Sequence, residues 1–135
     1  MNSVAGIIIE NRKIFIAKRN AKGDIGERWE FPGGKVEDGE TDEQALAREY
    51  DEEFGVGITA GTYIGSAKFE HHGKQHTVRA YKALLLSRDF VMPEHTALRW
   101  ASIDDIEALI QDNRFVPSDA LLLPFIKETL QLHHN

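Results

Sequence analysis

The chain reads as an α/β protein, and three features along it say so. A β-branched apolar run near the N-terminus is followed at once by an alternating one. A capped amphipathic helix stands in the middle. Two further strand-like runs then lead to two more helical segments. Strands, helix, hairpin and helices in that order suit an α/β sandwich. With 135 residues the chain is expected to be one domain, residues 1–135, with length enough for a core.

The elements follow in order. Ile7, Ile8 and Ile9 make Val4 to Glu10 a strand; Asn11-Arg12 is a turn; Lys13 to Arg19 alternates around Ile14 and Ile16 as the hairpin partner. Asn20 to Arg28 is polar and carries two glycines, a loop. Thr41 caps the next helix, with Asp42 and Glu43 in its first turn and Gln44 completing a capping box. Ala45, Leu46 and Tyr50 supply its inner side and Gly55 ends it. Gly61 to Glu70 and His76 to Leu86 are strands joined through His71-His72-Gly73-Lys74. Leu98 to Ala101 is a short strand. Ser102 caps a short helix with Asp104 and Asp105 in its first turn and Leu109-Ile110 inside. Pro117-Ser118 opens a final helix to about Leu132, striped by Leu121, Leu122, Phe125, Ile126 and Leu130.

Composition narrows the class. The net charge of −6 argues against a broad nucleic-acid footprint but not against a small phosphorylated ligand. No apolar run approaches the length of a membrane span. Met1-Asn2-Ser3-Val4 lacks the basic and apolar regions of a signal peptide. The absence of cysteine removes disulfides and thiol chemistry and fits a cytoplasmic location. A monomer and a homodimer are equally open.

One stretch carries chemistry. Glu49, Glu52 and Glu53 stand at i, i+3 and i+4, so their side chains fall within roughly 60° of arc on one helix face. Like charges so spaced repel by a few tenths of a kcal/mol per pair. A hard divalent cation, which takes carboxylate oxygens, offsets that repulsion; a solvated acidic face is the plain alternative. Around the acids stand Gly33-Gly34 before the helix, Glu40, Arg48 beside Glu49, and Gly55 at the end.

These residues resemble the Nudix box, G-x5-E-x7-R-E-U-x-E-E-x-G-U, where U is bulky and apolar. Gly34, Glu40, Arg48, Glu49, Glu52, Glu53, Gly55 and Val56 match in register. Tyr50 departs from the usual aliphatic residue and is expected to send its hydroxyl to a partner or to water. The prelude Trp29-Glu30-Phe31-Pro32-Gly33-Gly34-Lys35 is similar to that of the MutT-like branch. The resemblance implies a Nudix fold, an α/β/α sandwich around a mixed β-sheet. It implies metal-dependent hydrolysis of a nucleoside triphosphate, with a normal, oxidised or modified base, to monophosphate and pyrophosphate. Mg²⁺ is the implied metal, with Mn²⁺ as substitute.

By the same resemblance Glu49, Glu52, Glu53 and the Gly33 carbonyl are metal ligands, and Glu53 or Glu49 is the base. Arg48 orients a neighbouring glutamate, or makes an ordinary helix salt bridge. Glu40 pairs with Arg48 or joins a second metal. Lys35 touches phosphate or is a plain exposed lysine. Arg19, ending its strand, contacts the phosphates. Glu94 is a distal acid serving as ligand or base, or a solvated loop residue. Phe31 lines the base pocket or packs in the core. Asp119, in Phe115-Val116-Pro117-Ser118-Asp119, reads the base: ionised it only accepts and favours an amino group such as N4 of cytosine, whereas protonated it also donates and admits oxidised guanine. Its alternative is an acid favoured by a helix dipole. The segment His71 to Lys74 lacks the proline and tyrosine that mark ADP-ribose and diadenosine polyphosphate hydrolases. Other readings are a Nudix domain that senses a nucleotide without catalysis, and a hydrolase of nucleotide sugars or capped RNA ends.

Overall fold

The computed structural model describes residues 1–20, 27–91 and 95–132. Among the described residues eight strands and four helices follow one another: β1 (Asn2–Ile7), β2 (Ile9–Glu10), β3 (Lys13–Arg19), β4 (Trp29–Glu30), β5 (Gly33–Lys35), α1 (Asp42–Phe54), β6 (Ile58–His71), β7 (Lys74–Leu85), β8 (His95–Ala101), α2 (Ile103–Gln111), α3 (Pro117–Ala120) and α4 (Leu123–Leu132).

Two four-stranded sheets result. The first runs β5-β1-β7-β6 and is mixed, with β1 parallel to β7 and antiparallel to β5. In the second, β3 takes β2 and β4 at its two ends and β8 along its length. The strand expected from Val4 to Glu10 is therefore two strands in two sheets. Phe15 N–H donates to the Ile8 carbonyl at 3.0 Å where the chain changes sheets. Only Ile9 and Glu10 pair with β3, across a turn in which Asn11 and Arg12 both have positive φ, 52° and 62°. That backbone matches the right-handed twist of a tight hairpin.

Strand alternation explains the layers. Val4, Phe15 and Ala17 face one way and pack with Ala45, Leu46, Tyr50 and Phe54 of α1. Ala5, Ile14 and Ile16 face the other way and pack with Ile106 and Leu109 of α2 and Ile126 and Leu130 of α4. This is the α/β/α arrangement. The capping boxes Thr41/Gln44 and Ser102/Asp105 both form. Tyr50 is fully buried, and its hydroxyl donates to the Gly6 carbonyl at 3.1 Å.

The C-terminal helix differs from expectation. It breaks into α3 and α4 at Leu121-Leu122. Pro124 has no N–H to give the Ala120 carbonyl, and its ring crowds that carbonyl, so one continuous helix is disfavoured. Leu121 consequently leaves the apolar stripe and is exposed. No described helix is long and apolar enough to cross a membrane.

Candidate active site

Helix α1 carries the acidic face, and its buried side fixes where that face points. Tyr50 and Phe54 are wholly buried, and each directly follows a site glutamate, Glu49 and Glu53. Beneath the helix lies β5. A Cβ on Gly34 would stand 2.4 Å from the Glu49 carboxyl carbon, so only glycine admits that carboxylate against the strand.

Arg48 is the organiser. Its Nε and Nη2 donate to Glu40 Oε2 and Oε1 at 2.7 and 3.0 Å, a bidentate pair. Nη2 also donates to the Lys35 carbonyl at 2.8 Å, while Nη1 reaches Glu49 Oε1 at 2.9 Å and Glu52 Oε2 at 3.3 Å. One guanidinium thus ties the loop before α1 to two glutamates of the acidic face. Its bonds to Glu40 hold the guanidinium charged well beyond its ordinary range. Glu40, held by Arg48 and by the Glu37 N–H at 2.9 Å, is pushed to lower pKa. Glu49 moves the other way: burial raises its pKa, and Arg48 opposes that only in part.

A cavity of about 200 Å³ adjoins this face. Gly33, Gly34, Arg19, Glu30, Phe31, Val78, Val116, Ser118 and Asp119 are among the residues that line it, and Gly34 joins it to α1 through Glu49. Asp119 is 9% exposed and accepts from the Phe31 N–H at 3.0 Å. Its placement rests on a backbone link, in which Val116 N–H donates to the Trp29 carbonyl at 2.8 Å. Burial, reinforced by the nearby Glu30 charge, pushes Asp119 up to about 8, so at pH 7 it is largely protonated. Phe31 both lines the cavity and packs edge-on against Phe115, with centroids 5.0 Å apart.

The residues named from sequence are thus distributed unevenly. Arg48, Glu40 and Glu49 meet at one guanidinium, which Glu52 also reaches. Gly33, Arg19, Phe31 and Asp119 line the adjoining cavity. Arg19 is committed to Glu30 Oε1 at 3.1 Å. Lys35 sends its carbonyl, not its ammonium, to the site; its side chain is exposed. Glu94 lies outside the described residues. Two participants escaped the sequence reading. Glu30 and His95 are buried, and His95 Nε2 meets Glu30 Oε2 at 2.7 Å. One donor atom each of Glu30, Glu53 and His95 lies within 4.8 Å of the others. No local signal links them, because 65 residues separate Glu30 from His95.

Such a site on such a sandwich defines a hydrolase of phosphoanhydrides. The family model of the NUDIX domain matches residues 1–124, and the chain belongs to the Nudix hydrolase family, in its MutT-like branch. The CTP pyrophosphohydrolase of Escherichia coli is 39% identical over 102 residues, covering 76% of each chain. A putative 8-oxo-dGTP diphosphatase 2 of Mycobacterium tuberculosis is 35% identical over 130 residues, covering 94% of this chain and 88% of that one. Among solved structures, the E. coli ORF135 protein superposes with a TM-score of 0.78 at 36% identity, over 94% of this chain and 88% of that chain. The MutT protein of Methanosarcina mazei reaches 0.79 at 22% identity, over 96% and 94%, a likeness of fold.

Proposed function

We propose that the chain hydrolyses a nucleoside triphosphate to the monophosphate and pyrophosphate, and that at neutral pH its preferred base is an oxidised guanine. The observation that carries this reading is Gly34, which both lines the base-sized cavity and lies under the Glu49 carboxylate. A base in the cavity therefore brings its phosphates towards the acidic face. The names of the relatives, CTP pyrophosphohydrolase and 8-oxo-dGTP diphosphatase, support the same reaction class.

The residues fit a divalent cation. Glu49, Glu52, Glu53 and the Gly33 carbonyl would supply an all-oxygen donor set; the cradle at Gly34 leaves Glu49 room to take part, while Arg48 holds Glu49 and Glu52 and Glu53 lies by Glu30 and His95, so the carboxylates would turn towards a shared ion. Bound there, Mg²⁺ or Mn²⁺ neutralises the diphosphate and polarises a phosphoryl oxygen. The other contributions belong to the chain. Arg48 fixes the Glu49 rotamer. Glu49, whose pKa burial raises, accepts a proton from the attacking water. Arg19, paired with Glu30 at the cavity wall, would supply positive charge to the phosphates.

Asp119 reads the base. One oxygen is occupied by the Phe31 N–H, and in the protonated acid the other donates. A donor suits the C6 carbonyl of guanine. Once ionised, Asp119 only accepts and suits the N4 amino group of cytosine, so preference should shift towards CTP as pH passes about 8. The test is release of pyrophosphate from normal and oxidised (d)NTPs with Mg²⁺ from pH 6 to 9, repeated with Asp119→Asn. Release from none of them sinks the reaction. A base preference indifferent to both pH and Asp119→Asn removes Asp119 as reader.

A further inference from the structure

Glu30 from β4, Glu53 from α1 and His95 from β8 converge from three separate elements, with one donor atom of each within 4.8 Å of the others. The geometry points to a second cation site here, one of mixed oxygen and nitrogen donors that takes Zn²⁺ in the absence of nucleotide. The inference rests on the function proposed above only through Glu53, which both donor sets use.

The placement of His95 carries the argument. The residue is 5% exposed, and its ring stacks on Phe54 with centroids 5.0 Å apart and planes at 27°. Phe54 directly follows Glu53, so one helical turn positions both the imidazole and the carboxylate. Nε2 is the nitrogen that faces the trio, 2.7 Å from Glu30 Oε2; a cation bound there displaces the proton of that contact, and the neutral ring then carries its N–H on the buried Nδ1. Arg19 occupies the other oxygen of Glu30 at 3.1 Å and so aims Oε2 at the ring. The chemistry differs from that of the acidic face. Carboxylates and carbonyls suit Mg²⁺ and Mn²⁺, whereas an added imidazole suits Zn²⁺. Zinc bonds of about 2.1 Å in a tetrahedron set donors about 3.4 Å apart. From a Glu30–His95 contact of 2.7 Å and donors all within 4.8 Å of one another, small side-chain rotations would reach that spacing. Because Glu53 serves both sets, Zn²⁺ and the catalytic cation compete for it.

The test uses the full chain stripped of metal and free of nucleotide. It is titrated with Zn²⁺ by calorimetry and with Co²⁺ by visible absorption, while the His95 ring ¹⁵N resonances are followed by NMR. A Zn²⁺ equivalent that shifts the His95 resonances, and that His95→Gln weakens by about tenfold or more, is the expected result. The Co²⁺ complex should show the visible band of a low-coordinate, nitrogen-containing site. Wild-type protein whose His95 resonances do not move overturns the site, and so does His95→Gln protein that binds as tightly as wild type. The ring resonances decide even where that variant does not fold. Pyrophosphate release with Mg²⁺, measured on the same preparations, judges the proposed reaction separately.

Discussion

Arg48 and Asp119 are the two side chains whose surroundings most constrain what they do. Arg48 makes a fork to Glu40 that lysine cannot copy, since lysine presents a single ammonium. We expect Arg48→Lys to lower kcat by about 10- to 100-fold with KM little changed, because the lost function is orientation of Glu49. Steady-state kinetics check this, and an unaltered kcat would free Glu49 from dependence on Arg48. For Asp119 the sign follows from proton binding. Its folded pKa, about 8, lies above the ordinary 3.8, so between those values the native state holds a proton that the unfolded chain has released. This contribution to stability is full below pH 4 and is lost as pH rises towards 8. Asp119→Asn removes that dependence. Its stability relative to wild type should rise by up to about 5 kcal/mol between pH 4 and pH 9, read from urea midpoints at each pH. A constant difference across that range would mean that Asp119 is ionised in the folded protein.

Helix α1 is the element on which the site depends, and it is fastened at both ends. Arg79 of β7 donates to both oxygens of Asp42 at 2.6 Å, and the Tyr81 hydroxyl donates to Asp42 at 2.5 Å. Arg79 holds Asp42 well ionised, and burial with the Asp42 contact pushes Tyr81 up to about 12. Arg79→Ala strands a half-buried carboxylate beside a phenol. We expect a loss of about 1–3 kcal/mol by chemical denaturation, with kcat falling less than in Arg48→Lys. Further along, Tyr50→Phe gives up the bond to Gly6 for about 1 kcal/mol. This helix was the part most legible in the sequence, because its caps, its buried stripe and its acids are all local patterns. The switch of sheets at Ile8 was not legible, since a run of β-branched residues looks alike in one sheet or two. Nor were β4 and β5, two and three residues long and the second rich in glycine, which become strands only through partners far away in the chain. Glu30 and His95 were hidden for the same reason. Each looks ordinary alone, and only the pairing of β4 and β8 with β3 brings them together.

At the scale of the molecule, the acids that the site collects contribute to a net charge of −6, and cation binding relieves part of that repulsion. A chelator should therefore abolish hydrolysis, and readdition of Mg²⁺ should restore it. The melting temperature should rise on readdition in proportion to ln(1 + [Mg²⁺]/Kd), without the chelated protein unfolding. Calorimetry in EDTA and in graded Mg²⁺ measures both. The route of the first strand has a further consequence. β1 lies between β5 and β7 in its sheet, and the N-terminal amine reaches the Gln75 carbonyl, 74 residues away. At synthesis rates of about 5–20 residues per second, Val4, Ala5 and Ile7 wait several seconds for the strand that completes their sheet. Nascent chains stalled before Lys74 should thus present this apolar segment to chaperones and proteases, and chains extended until Leu85 has cleared the ribosome should bury it. The order in which the ribosome delivers the strands leaves β1, made long before its neighbour β7, among the last segments to be protected.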